Sequence, residues 1–107
     1  MNQIDSLLDI AFAIYTEFGP NLKIDRKTRL KSVFKELSSS ELDSLILSLK
    51  NIVATVWEIA EMGGEVKLGK TKVKDLLIEK HPQLNSDGLK HAIFLINYYA
   101  FHEGYDK

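Results

Sequence analysis

Apolar residues recur along most of this chain at steps of three and four, the spacing that gives a helix one buried face. Over residues 5–18, with Ile4 just ahead, the stripe is Leu7, Leu8, Ala11, Phe12, Ile14 and Tyr15. Asp5 and Asp9 stand near the amino end of this first helix, where the helix dipole favours an acid, and Gly19 with Pro20 stops it. A second helix is expected over residues 25–37, with Asp25 as N-cap and Leu30, Val33, Phe34 and Leu37 on its inner side.

The clearest pattern follows. Ser38, Ser39, Ser40 and Glu41 match a capping box, in which the serine hydroxyl and the glutamate three residues later satisfy each other's backbone N–H groups. Leu42, Leu45, Leu49, Ile52, Val56 and Ile59 then alternate steps of three and four, and Ile46, Val53 and Ala60 widen the stripe. Residues 40–62 are therefore expected to form a central helix that touches several others and ends at Gly63 and Gly64.

Residues 65–80 read in two ways. Val66, Leu68 and Val73 alternate with lysines as in a small hairpin turning at Gly69 and Lys70, but Thr71 can also cap a helix carrying Val73, Leu76 and Leu77 that stops before Pro82. The helix from Thr71 is the favoured reading, with a loop or short extended stretch before it. Asn85, Ser86, Asp87 and Gly88 open a last helix over residues 86–102, closed by Gly104. Its stripe is Leu89, Ala92, Ile93, Ile96 and Ala100, yet Phe94, Leu95, Tyr98, Tyr99 and Phe101 cover much of its other side.

The expected fold is all-α: a single compact, bundle-like domain of four or five helices spanning residues 1–107. That length matches the commonest domain size, and 45% apolar with 27% charged residues is ordinary globular composition. Cysteine is absent, which excludes disulfides and all thiolate chemistry. The longest stretch without Asp, Glu, Lys or Arg, residues 91–102, is too short to span a bilayer, and no basic, apolar leader opens the chain. A cytoplasmic protein with no membrane contact is the expectation.

Charge is segregated, although the net value is only −1. Residues 1–19 hold three acids and no base, residues 20–37 six bases against two acids, and residues 65–80 five bases against three acids. Lys23, Lys27, Lys31 and Lys35 stand four apart, flanked by Arg26 and Arg29, and could follow a phosphate backbone. Alternating acidic and basic helices also simply attract one another in a bundle, and a pI near 6.3 is far from that of a dedicated nucleic-acid binder.

Residues 64–71 satisfy the phosphate-loop pattern G-x-x-x-x-G-K-[ST], with Lys70 and Thr71 in the places that contact phosphate and magnesium. The preceding segment is helical where that motif needs a strand, and no acid-tipped strand follows, so nucleotide binding is not expected. His81, His91 and His102 form no metal-ligand cluster: His91 and His102 share a face but are separated by roughly 16 Å of helical rise. His81 is expected at a helix carboxyl end, where a positive charge is welcome. Neither a cofactor nor a catalytic constellation is expected.

A helix that is apolar nearly all round is buried centrally or shared with another chain, and a short chain has little material with which to surround it. The expected function is accordingly non-catalytic protein–protein interaction, as a small adaptor, regulator or inhibitor, with homodimer formation within that reading. The candidate contact residues are Trp57, which lies outside the main stripe of the central helix, and Tyr98, Tyr99 and Phe101. The alternative is a nucleic-acid-associated regulator using the basic row at residues 23–35.

Overall fold

A computed structural model describes residues 3–16 and 26–107, with side chains for 8–16 and 28–107. The described residues form six helices in the order α1 (Gln3–Tyr15), α2 (Arg26–Val33), α3 (Ser39–Glu61), α4 (Gly64–Leu68), α5 (Lys70–Lys80) and α6 (Ser86–Glu103), and no strand. The all-α, bundle-like expectation holds, with one helix more than foreseen. None of the described helices is long and apolar enough to cross a membrane.

α3 is the spine, and α6 packs on it more extensively than any other pair of elements pack together. Leu42, Leu49, Ile52, Val56, Ile59 and Ala60 are all buried on α3, as the stripe requires. The foreseen capping box forms in full: Glu41 N–H donates to Ser38 Oγ at 3.2 Å, and Ser38 N–H donates to Glu41 Oε1 at 3.0 Å. The Ser38 backbone N–H first, and then the Ser38 side chain, hold the Glu41 carboxyl below its ordinary value. From α6, Ala92, Leu95, Ile96 and Ala100 enter the same apolar cluster, joined by Phe12 of α1, Leu30 of α2, and Val73 and Leu77 of α5.

α1 runs Gln3–Tyr15 where the spacing predicts residues 5–18, with residues 17 and 18 outside the described residues, and three further boundaries differ, each for a local reason. α2 ends at Val33 instead of residue 37, because Ser38 must be extended (φ −70°, ψ 167°) to cap α3; the intervening turn is tied by Lys31 Nζ donating to the Leu37 carbonyl at 2.6 Å. The proposed cap Asp25 lies outside the described residues. Residues 64–68, read as a loop or hairpin strand, are helix α4. The chain reverses at Gly63 and Gly64, both with positive φ, so that α4 lies on α6; a Cβ at Gly64 would stand 3.0 Å from Asn97 Oδ1 and 3.3 Å from Ile96 Cγ2. α5 begins at Lys70, with Gly69 as its N-cap, so Thr71 caps nothing.

The Cα atoms extend 43 × 33 × 18 Å. Packed helices lie ~8–10 Å apart, so the short dimension accommodates two helical layers and no third. A helix in a two-layer slab keeps one side toward solvent, and for α6 that geometry has a consequence.

Candidate interaction surface

α6 is fixed at its amino end by another helix. Its N-cap residue, Asn85, makes no side-chain capping bond. The Asp9 carboxylate of α1 takes that place: Asn85 N–H donates to Oδ1 and Gly88 N–H donates to Oδ2, both at 3.0 Å. One carboxylate thus satisfies the two donors that a local capping box would share between two residues. Glycine is needed at position 88, since a Cβ there would stand 2.4 Å from Asp9 Oδ1 and 2.9 Å from Leu84 Cδ2. Asp9 therefore serves the dipole of α6, where the sequence alone suggested that of its own helix.

Farther along, His91 and Asn97 tie α6 to its neighbours. His91 Nε2 lies 2.7 Å from Thr16 Oγ1, and that hydroxyl also donates to the Phe12 carbonyl at 2.8 Å. A hydroxyl has one hydrogen, so the imidazole is assigned as the Nε2–H tautomer donating to threonine. Asn97 accepts from Glu65 N–H at 3.1 Å and donates to Glu65 Oε1 at 2.6 Å, which makes it a clamp on α4.

The same histidine–threonine device recurs between α5 and α3. His81 Nε2 lies 2.7 Å from Thr55 Oγ1, which donates to the Asn51 carbonyl at 3.2 Å. His81 does close α5, as foreseen, but it is buried. Burial, then the charge of Lys80, lowers its affinity for a second proton, and burial does the same at His91. Both rings are shifted toward the neutral form, so the reading of His81 as a dipole-favoured cation gives way to one of a desolvated hydrogen-bond donor.

With α6 held in this way, its outward side carries Phe94, Tyr98 and Phe101, exposed to 58%, 38% and 70%. Steps of four and three place them on one face, opposite Ala92, Ile96 and Ala100. The rings form a ladder along the helix: His91 and Phe94 are stacked with centroids 6.4 Å apart, Phe94 and Tyr98 at 6.2 Å, and Tyr98 meets His102 at 4.5 Å. No Asp, Glu, Lys or Arg interrupts residues 91–102.

Of the residues singled out from the sequence, Tyr98 and Phe101 belong to this face. Trp57 and Tyr99 do not stand free: they stack on each other across the α3–α6 contact, with centroids 4.1 Å apart and planes 10° from parallel, both half-buried. In the sequence Phe94 stands only among the apolar remainder of the last helix. The signal that selects it is its register, four before Tyr98 and seven before Phe101, on the side opposite the alanine-rich stripe.

The basic residues separate. Lys23 and the side chains of Arg26 and Lys27 lie outside the described residues. Arg29 is half-buried, Lys31 holds the turn after α2, and Lys35 is exposed. α2 packs chiefly on α1 and α3, whereas the lysines of residues 67–74 belong to α4 and α5, which pack on each other, α3 and α6. The phosphate-loop pattern is likewise not a loop: residues 64–68 are helical, Glu65 N–H is engaged by Asn97, and Gly69 N–H donates to the Glu65 carbonyl at 2.9 Å. Among the described residues, no group of three or more His, Cys, Asp or Glu is placed to hold a metal ion. In comparison with known proteins, no family model, no curated protein and no solved structure matches this chain.

Proposed function

We propose that the chain is a non-catalytic protein-binding module, a small adaptor, regulator or inhibitor, that engages another polypeptide through the outward face of α6. The observation that carries this reading is the exposure of Phe94, Tyr98 and Phe101 on one side of a helix whose other side is anchored in the core. Large rings left in water cost free energy that a covering partner recovers, and aromatic residues on a rigid support bind with little loss of side-chain entropy. Spacing of i, i+4 and i+7 also suits a helix face that enters a groove or lies along another helix.

A photo-crosslinking benzoylphenylalanine at Phe101 tests the reading with little change of shape. In cells that naturally make the protein, irradiation is expected to yield a covalent adduct with a polypeptide. The same group at Lys50, an exposed position on α3, is expected to yield none. Absence of an adduct from Phe101, or equal adducts from both positions, would count against the α6 face.

A further inference from the structure

We propose that the polypeptide covering the α6 face is a second copy of this chain, docked antiparallel about a two-fold axis beside Tyr98. This rests on the reading of that face as a protein interface and names its occupant. Phe94 lies four residues before Tyr98 and Phe101 three after, so reversing the helix about Tyr98 nearly restores the pattern. Phe94 of one copy then meets Phe101 of the other, the self-complementarity that an isologous contact requires.

Charge agrees with that arrangement. The ring-bearing segment holds no Asp, Glu, Lys or Arg, so apposing two copies buries no like charges. Antiparallel docking sets Asp87 and Lys90, at the amino end of one α6, against the carboxyl end of the other, so no block of one sign meets its like. It also brings the positive end of each helix dipole to the negative end of its neighbour. With a net charge of −1 per chain, long-range repulsion between copies is small.

Area sets the strength. An aromatic side chain presents about 150–250 Å², so the uncovered parts of the three rings supply roughly 300 Å² per copy. Stable complexes bury about 800 Å² per partner. The pair is therefore weak and concentration-dependent.

Sedimentation of the purified full chain from about 10 μM to about 1 mM spans the affinities expected of so small an interface. The average mass is expected to rise from 12.2 kDa toward twice that value. Phe101→Asp, at a position 70% exposed and thus tolerant of the change, is expected to lower the association constant at least tenfold with an unchanged helical circular dichroism spectrum. Because the chain has no cysteine, Tyr98→Cys gives a clean test of the axis. A residue beside a two-fold axis meets its own copy, so mild oxidation is expected to link Tyr98→Cys into dimers far faster than Leu47→Cys, exposed on α3.

A mass fixed at 12.2 kDa throughout, association undiminished in Phe101→Asp, or equal crosslinking of the two cysteine variants would overturn the proposal. A monomeric purified chain whose Phe101 photo-adduct contains a different polypeptide overturns self-association and leaves the protein-interface reading intact. A monomer with no photo-adduct overturns both.

Discussion

α3 and α6 are the two longest described helices and pack on each other, yet they are specified by different means. α3 closes its amino end with its own residues, Ser38 and Glu41, and apart from Leu47 turns its large apolar side chains inward or half-inward. α6 takes its amino-terminal cap from Asp9, 76 residues away from Asn85, and presents three rings to solvent. A helix that sets its own boundaries can form early and serve as scaffold. One whose first turn awaits another helix is defined by assembly, and any surface it carries beyond what the core needs is available for another purpose.

The largest effect should be common to both helices. Ile52 of α3 and Ile96 of α6 are fully enclosed, and truncating either to alanine is expected to cost about 2–5 kcal/mol in chemical denaturation, lost burial and a residual cavity contributing together. Equal costs would establish that the inner side of α6 is as much a part of the core as α3. A cost below ~1 kcal/mol at Ile96 would break the comparison at its base, since α6 would then not be seated as described.

The caps separate the two helices at the next level. Ser38→Ala removes a local cap and should cost about 1 kcal/mol. Asp9→Ala withdraws a carboxylate from two backbone donors of a different helix and should cost about 2–3 kcal/mol, with faster hydrogen exchange at Asn85 and Gly88. Gly88→Ala forces a Cβ against the same carboxylate and should be similarly damaging. Their double variant should lose less than the sum, because each change removes what the other disturbs. Strict additivity would mean that Asp9 and Gly88 do not act on each other.

This difference in caps is also the boundary of what could be read in the sequence. The stripe and capping box of α3 are signals within a few residues of one another, and Leu42, Leu49, Ile52, Val56 and Ile59 lie buried where the spacing puts them. Asp9 is legible as an acid near a helix start, but its partner is fixed only when α1 lies across Gly88. Residues 64–68 likewise find their partner far along the chain, Glu65 N–H donating to Asn97, 32 residues beyond. For the candidate site, the surplus of rings on α6 is plain in the sequence. Which rings face outward follows from the docking of α1, α3 and α4, and so Phe94 gains importance while Tyr99 turns toward Trp57.

Acid should loosen both helices through their histidine–threonine ties. A histidine shifted toward the neutral form by burial binds its second proton less readily in the folded chain than in the unfolded one. As pH falls below the ordinary value of 6.5, the unfolded state therefore takes up more protons and stability declines, levelling off once the folded-state rings are protonated too. The Glu41 contribution lies lower, present above 4.5 and lost as pH falls through its depressed folded value. Urea midpoints at pH 7.5 and 5.5 should differ in the native chain. The difference should shrink in His91→Gln, which retains a donor to Thr16, and further when His81→Gln is added. An unchanged pH dependence in the double variant would assign the acid sensitivity to other groups.

The smallest change in stability should fall where binding is proposed. Phe101→Ser removes a ring that is 70% exposed and leaves the buried face of α6 untouched, so unfolding should shift by less than about 0.5 kcal/mol, as at ordinary surface positions. Leu95→Ser, six residues earlier and 1% exposed, places an unmatched hydroxyl in the core and should cost several times more. A large loss of stability in Phe101→Ser would show that the ring packs within its own chain, and the case for a covering partner would fall with it. A negligible loss leaves an aromatic side chain at a solvent position where a polar one serves the fold equally well, and a fold that does not require Phe101 gives no account of why it is aromatic.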